Sequence, residues 1–366
     1  MKKISVILAV ALMLLVAGSV FATGGSQRAA ATETFELALV TDLGTIDDKS
    51  FNQGAWEGLV QYAREKNITH KYYQPAEQSD DAYLTAIDLA VRGGAKVIVT
   101  PGFLFEVPIY VAQDRYPNVN FILVDGVPHS ADYSTFKTNQ NVVGILYAED
   151  QAGFLAGYAA VKDGNRRLGF MGGMAVPAVV RFGYGFVQGA EYAANELGLA
   201  AGSVTINYHY TGAFAATPEA QTMAASWYNQ GADAIFACGG AVAFSVFAAA
   251  EQTGKKVIGV DVDQSGESPT VITSAMKGLQ ASVYDCIVDY YNNRFPGGTT
   301  KIFEAANNGV GLPMASSKFT TFRQADYDSI FRALATGAIP RMMDDPNAGG
   351  SPSVVPLRIV RVTEIR

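Results

Sequence analysis

The chain has 366 residues, 49% of them hydrophobic, which exceeds what one core usually covers and predicts two ordinary globular domains. Residues 1–22 hold two lysines and no acid, so without them 25 basic residues stand against 34 acidic ones and the net charge is near −9. That balance argues against nucleic acid or an anionic membrane as a partner.

Residues 1–22 read as a secretory signal peptide. Lys2 and Lys3 precede a largely apolar run over 4–16, and Val20, Phe21 and Ala22 fit a small-residue cleavage site. The alternative, a membrane anchor, needs about 20 apolar residues. The run is shorter, and no later segment could span a bilayer. Residues 23–34 are small and polar and form an expected flexible lead-in.

From residue 35 strands and helices alternate, which predicts a parallel sheet. Strands are expected at 37–40, 70–74, 97–100, 121–125 and 136–138. After the first, Thr41, Asp42 and Gly44 break the apolar run, and Asp47, Asp48 and Ser50 supply helix-start chemistry. Trp56, Leu59, Val60 and Ala63 then recur at i, i+3, i+4 and i+7, the buried stripe of an amphipathic helix. Phe51 and Asn52 fall in its first turn, off that stripe. An exposed aromatic and an amide among carboxylates, at the carboxyl end of a strand, mark where open α/β sheets bind ligands. Ser79 to Asp81 and Gly93-Gly94 bracket the next helix with cap residues.

A second series places strands at 168–171, 204–208, 234–237 and 257–260, with Thr217-Pro218-Glu219 starting one of the intervening helices. Residues 271–366 add a strand at 271–273, a helix, a strand near 301–303, the helix 324–335 and a last strand near 357–362. That is too little for a third domain. The expected division is 35–141 plus about 268–310 for one lobe and 142–267 plus about 311–366 for the other. Several crossovers would make a hinge with a cleft between the lobes.

Asp42, Asp125 and Asp261 each follow an apolar strand directly, so each carboxylate is placed at a sheet's carboxyl edge. Any one could merely cap a turn; three together favour a shared cleft. Phe182 and Phe186 are spaced as a helix face, and Phe186 continues the core stripe with Ala190 and Ala193. Gly239 and Gly240 permit close backbone approach to a ligand or simply turn the chain, and Gly102 with Phe103 carries the same ambiguity. Lys277, after the strand 271–273, is either a donor to ligand hydroxyls or a solvated lysine at a helix start. Cys238 and Cys286 allow one disulfide or two buried thiols.

Enzyme and metal signatures are sparse. There is no GxSxG, no Walker loop and no strand followed by GxGxxG, and His70, His129 and His209 lack metal-ligand spacing. Asp42, Asp47 and Asp48 look like the DxDxxxDD opening of nucleoside hydrolases, which gathers carboxylates around calcium, but Val40 stands where the first Asp belongs. No cofactor and no metal are expected, and no enzymatic activity.

The motifs TDLGTIDDKSFNQGAWEG, TPGFLF, FILVDG, RFGYGFVQGA, VIGVDVDQ and TSAMK together resemble the basic membrane protein family of bacterial solute receptors, which includes purine nucleoside receptors. The resemblance implies a type I periplasmic binding protein fold: two doubly wound parallel-sheet lobes of α/β class, joined by a multi-strand hinge, that close on a ligand and present it to an ABC transporter permease. By that analogy Phe51 and Phe182 would sandwich a purine base, and Asn52, Asp42 and Asp125 would bond its polar edge. Asp261, Gly239 and Lys277 would hold the ribose, with Gly240 and Ser50 as further ligand-binding candidates. A sugar or signalling-molecule receptor of the same fold is the alternative, and a nucleoside hydrolase a more distant one. Family members are usually lipoproteins, but Ala22-Thr23 occupies the cleavage region and no cysteine precedes Cys238. The expectation is a secreted, periplasmic monomer that does not span the membrane.

Overall fold

The computed structural model describes residues 34–42 and 44–365; the expected signal peptide over 1–22 and the lead-in up to residue 33 lie outside the described residues. In chain order the first series is β1 (Leu37–Val40), α1 (Phe51–Lys66), β2 (His70–Tyr73), α2 (Asp80–Arg92), β3 (Val97–Pro101), α3 (Glu106–Arg115), β4 (Asn120–Val124) and β5 (Val142–Tyr147). There follow α4 (Glu149–Lys162), β6 (Arg167–Gly172), α5 (Pro177–Glu196), β7 (Val204–Tyr210), α6 (Pro218–Asn229), β8 (Ala234–Cys238), α7 (Val242–Thr253), β9 (Lys256–Asp261) and β10 (Val271–Lys277). The chain ends with α8 (Leu279–Tyr291), β11 (Thr299–Phe303), β12 (Val310–Gly311), α9 (Gln324–Ala335) and β13 (Val360–Glu364).

These strands form a six-stranded sheet, β11-β5-β4-β3-β1-β2, and a seven-stranded one, β12-β10-β9-β8-β6-β7-β13. Pairing is parallel except between β10 and β12. The central strands are buried on both faces, which is why they read as continuous apolar runs rather than alternating ones. The local signals work as their chemistry requires. The Ser79 hydroxyl caps α2 by accepting from Ala82 N at 3.2 Å, and Thr217 caps α6 with Pro218 behind it.

Two strands depart from the expected division. β5 pairs with β4 and so belongs to the first sheet, and β10 pairs with β9 and belongs to the second. The chain therefore passes between the sheets after Tyr147, after Lys277 and after Phe303. These passages are bonded to each other, Ala148 N to Phe303 O at 2.9 Å and Gly278 N to Gly309 O at 2.8 Å. The strand expected at 136–138 is instead a loop: Phe136 is 61% exposed and joins only an isolated bridge to His129. Gly144 obscures β5 in the sequence, but a Cβ there would lie 3.1 Å from Gly126 O, so this position favours glycine within a true strand.

Two further features hold the second sheet's helices and the C-terminal stretch. Buried Asp163 accepts from the backbone N–H groups of Thr320 and Thr321, both at 2.6 Å, and Glu191 from Arg358 at 2.9 Å and Val360 at 2.8 Å. α4 and α5 cross at backbone contact through paired glycines. A Cβ on Gly153 or Gly157 would sit 2.1 or 2.0 Å from the carbonyl oxygens of Phe182 and Phe186, and one on Gly185 or Gly189 equally close to those of Asp150 and Phe154. No side chain can give way there, because the obstacle is backbone. Gly157→Ala is therefore expected to lower unfolding free energy by about 2 kcal/mol or more, measured by chemical denaturation. Gly266→Ala, with nothing within 4 Å, should be near neutral and serves as the control.

Candidate functional site

Both sheets contribute to one cavity of about 740 Å³, a size suited to a small organic ligand. Asp42, Phe51, Asn52, Asp125, Phe182, Gly239, Gly240, Asp261 and Lys277 line it. Ser50 does not. It is fully buried at the N-cap of α1, yet its hydroxyl makes no cap bond and donates instead to Asp261 Oδ2 at 2.5 Å. Asp48 does the capping, accepting from the N–H groups of Ser50 (2.9 Å), Asn52 (3.0 Å) and Gln53 (3.0 Å). Asp48 is thus committed to the helix start, and Asp42 accepts from Gly44 N at 2.6 Å, which accounts for the partial likeness to a metal-binding carboxylate motif. Among the described residues no group of three His, Cys, Asp or Glu side chains is arranged to hold a metal ion.

The Asn52 side chain donates from Nδ2 to Asp42 Oδ1 at 3.1 Å and to Asp48 Oδ2 at 3.2 Å. Two carboxylates orient the amide, so its Oδ1 is left buried with no donor among the described residues. Phe51 is half-buried rather than fully exposed. Asp125 and Asp261 adopt left-handed backbone, φ 59° and 66°, a conformation Asp tolerates better than most residues and one that turns the chain sharply at each strand end.

Of the two readings of Lys277, the structure excludes the solvated one. β10 continues to it, and its side chain is 2% exposed rather than solvated at a helix start. Its ammonium donates to Asp125 Oδ2, lies 3.2 Å from Glu149 Oε1 and 4.0 Å from Asp261 Oδ1. It also sits 5.0 Å from the Phe51 ring centre and 5.3 Å from those of Tyr147 and Phe182. Burial opposes its charge, but the three carboxylates outweigh burial and raise its pKa. Burial pushes Glu149 up to about 7 and Asp261 up to about 6, in each case against the pull of Lys277. Asp42 is raised too, again mainly by burial.

Phe182 lines the cavity but is only 2% exposed, packed edge-on against Phe236 with ring centres 5.9 Å apart. Phe214, half-buried in the loop after β7, also lines the cavity and was not singled out by the sequence. Gly239 is accounted for by the chain itself, since a Cβ there would lie 2.6 Å from Gly173 N, and Gly240 takes φ 54° in the turn. Cys238, on the cavity wall, and Cys286 are both free, buried thiols. Sequence reasoning also missed Glu149 and Arg181. Glu149 opens α4 directly after the overlooked β5, so recognition of that strand would have placed it at a sheet edge. Arg181 adjoins Phe182 and faces Glu149 at 3.7 Å and Asp344 at 2.9 Å. Arg181 thus brings a cation to the cavity wall, one already paired with carboxylates.

The family model described as ABC transporter substrate-binding protein PnrA-like matches residues 35–334. The ABC transporter nucleoside-binding protein BmpA of Lactococcus lactis is 31% identical over 308 residues, covering 77% of this chain and 83% of that protein. Basic membrane protein B of Borreliella burgdorferi is 28% identical over 306 residues, 81% of this chain and 86% of that one. A solved ABC transporter solute-binding protein from Aeropyrum pernix superposes with a TM-score of 0.74 at 23% identity, covering 86% and 95% of the two chains, and bears on the fold alone.

The raised carboxyl groups have a consequence for stability. Between the ordinary carboxyl range and about 7, the folded chain holds protons on Glu149 and Asp261 that the unfolded chain has released. Stability from these groups is therefore lost as pH rises through that window and gained as it falls. The melting temperature of the ligand-free protein should rise as pH is lowered from about 8 to about 5, and the slope should flatten in Glu149→Gln; calorimetric melts across that range check both.

Proposed function

The chain belongs to the Bmp family of PnrA-like ABC transporter substrate-binding proteins, a family of receptors and not of enzymes, and on that premise we propose that its cavity binds a purine nucleoside for delivery to an ABC importer. The observation that carries this reading is the pairing of a half-buried aromatic ring, Phe51, with buried acceptor oxygens that have no donor among the described residues, Asn52 Oδ1 and Asp125 Oδ1. A planar base with N–H groups at its edge satisfies both features at once. Stacking on an aromatic ring contributes roughly 1–3 kcal/mol per base, and carboxylate acceptors make the stronger hydrogen bonds.

In this reading Asn52, Asp42 and Asp125 meet the base edge, and Asp261 and Lys277 lie at the ribose. Lys277 acts mainly by holding the carboxylates in place, because its N–H groups already face three of them. Ser50 orients Asp261 from behind. Phe214 is the better second aromatic partner, since the Phe182 ring is almost wholly enclosed by protein. The two sheets with their helices act as lobes that close about the three passages between them. The receptor works outside the cytoplasm, in the periplasm. Among the described residues no helix is long and apolar enough to cross a membrane.

Protein purified natively and then denatured should release an intact purine nucleoside, identified by mass spectrometry; a sugar in its place would refute the nucleoside reading. By calorimetric titration Phe51→Ala should weaken inosine or adenosine binding about five- to one-hundred-fold, and Phe214→Ala should weaken it more than Phe182→Leu. Undiminished affinity in Phe51→Ala would remove stacking from the account.

A further inference from the structure

Glu149 makes no ligand contact in the reading above, yet it lines the cavity beside Lys277. It is the first residue of α4, immediately beyond the passage out of β5, and its side chain is 1% exposed. Oε1 faces Lys277 at 3.2 Å. Among the described residues Oε2 has no hydrogen-bond donor; an Arg181 Nη1 stands 3.7 Å away, beyond hydrogen-bond reach. Arg181 is in addition held by Asp344, to which its Nε donates at 2.9 Å. A carboxylate oxygen shut away from water without a donor is unfavourable unless something else supplies one, and Glu149 lines the cavity.

We propose that Glu149 is a ligand-contacting residue whose Oε2 accepts a hydrogen bond from a ribose hydroxyl, so that it selects nucleosides over their deoxy counterparts. The inference rests on the nucleoside reading, which places the ribose beside Lys277. The ammonium there faces Asp125, Glu149 and Asp261 and has little capacity left for a ligand. A hydroxyl arriving at that end therefore meets carboxylate oxygens first, and Glu149 Oε2 is one that lacks a donor. A hydroxyl donor satisfies it; a deoxy position leaves it buried and unsatisfied, which is the arrangement that rejects an analogue most strongly. Because Oε1 is held by Lys277 and Oε2 faces Arg181, the carboxylate has little freedom to turn away from a ligand that lacks the hydroxyl.

Calorimetric titration of the wild-type chain and of Glu149→Gln with inosine and with 2′-, 3′- and 5′-deoxyinosine tests this. At least one deoxy analogue should bind the wild type tenfold or more weakly than inosine, and in Glu149→Gln that ratio should shrink to within about threefold. An unchanged ratio in the variant overturns the inference while leaving the nucleoside reading intact. Failure of every nucleoside to bind the wild type overturns that reading and the inference with it. If melting curves show that Glu149→Gln does not fold, a crystal structure of the wild type with inosine decides: a hydroxyl within about 3.5 Å of Oε2 supports the assignment and its absence overturns it.

Discussion

The site is organised around one buried ammonium. Lys277 ends β10 with almost no exposure to water, and an unpaired charge in that position would be prohibitive. The carboxylates that compensate it come from separate parts of the chain: Asp125 beyond β4 of the first sheet, Glu149 at the start of α4, and Asp261 at the end of β9 of the second. Satisfying the one charge therefore fixes strand ends from both sheets relative to each other. The rings of Phe51, Tyr147 and Phe182 close around the same ammonium, so the aromatic and acidic features share a single centre.

The packing beneath the site serves the same arrangement. The glycine-lined crossing of α4 and α5 brings the two helix backbones into contact, and those helices carry Glu149 on one and Arg181 with Phe182 on the other. Larger residues at the crossing would push these side chains apart. In the first sheet, the start of α1 divides its work: Asp48 satisfies the helix N–H groups, and Ser50 is thereby free to reach Asp261 in the second sheet. The cost falls on two buried carboxyl groups, Glu149 and Asp261, whose pKa values burial raises, so that the ligand-free chain gives up stability near neutral pH.

Much of this was legible in the sequence because it is written in local chemistry. The apolar runs ending at Asp42, Asp125 and Asp261 placed three carboxylates at sheet edges, and all of them line the cavity. Phe51 and Asn52 fall in the first turn of α1 and line the cavity. What was not legible lies where local signals are ambiguous. Gly144 concealed β5, and with it the position of Glu149. Lys277 could be read as a ligand donor or as a solvated lysine, because two of the carboxylates that make its burial possible, Asp125 and Glu149, lie far from it in the chain. Phe182 and Phe214 could not be ranked by spacing, since their exposure depends on Phe236 and on the loop after β7.

Alternation of strand and helix, strand-end carboxylates and helix-start residues depend on backbone periodicity and on neighbours a few positions away, so the sequence by itself determined the α/β class, the parallel sheets and the strand ends that line the cavity. Sheet membership of β5 and β10, the free state of Cys238 and Cys286, and the partners of Lys277 depend on contacts that no local pattern records, Lys277 with Asp125 among them. Only the tertiary structure decided those, because the free energy of a buried charge depends on what surrounds it in space rather than on what precedes it in the chain.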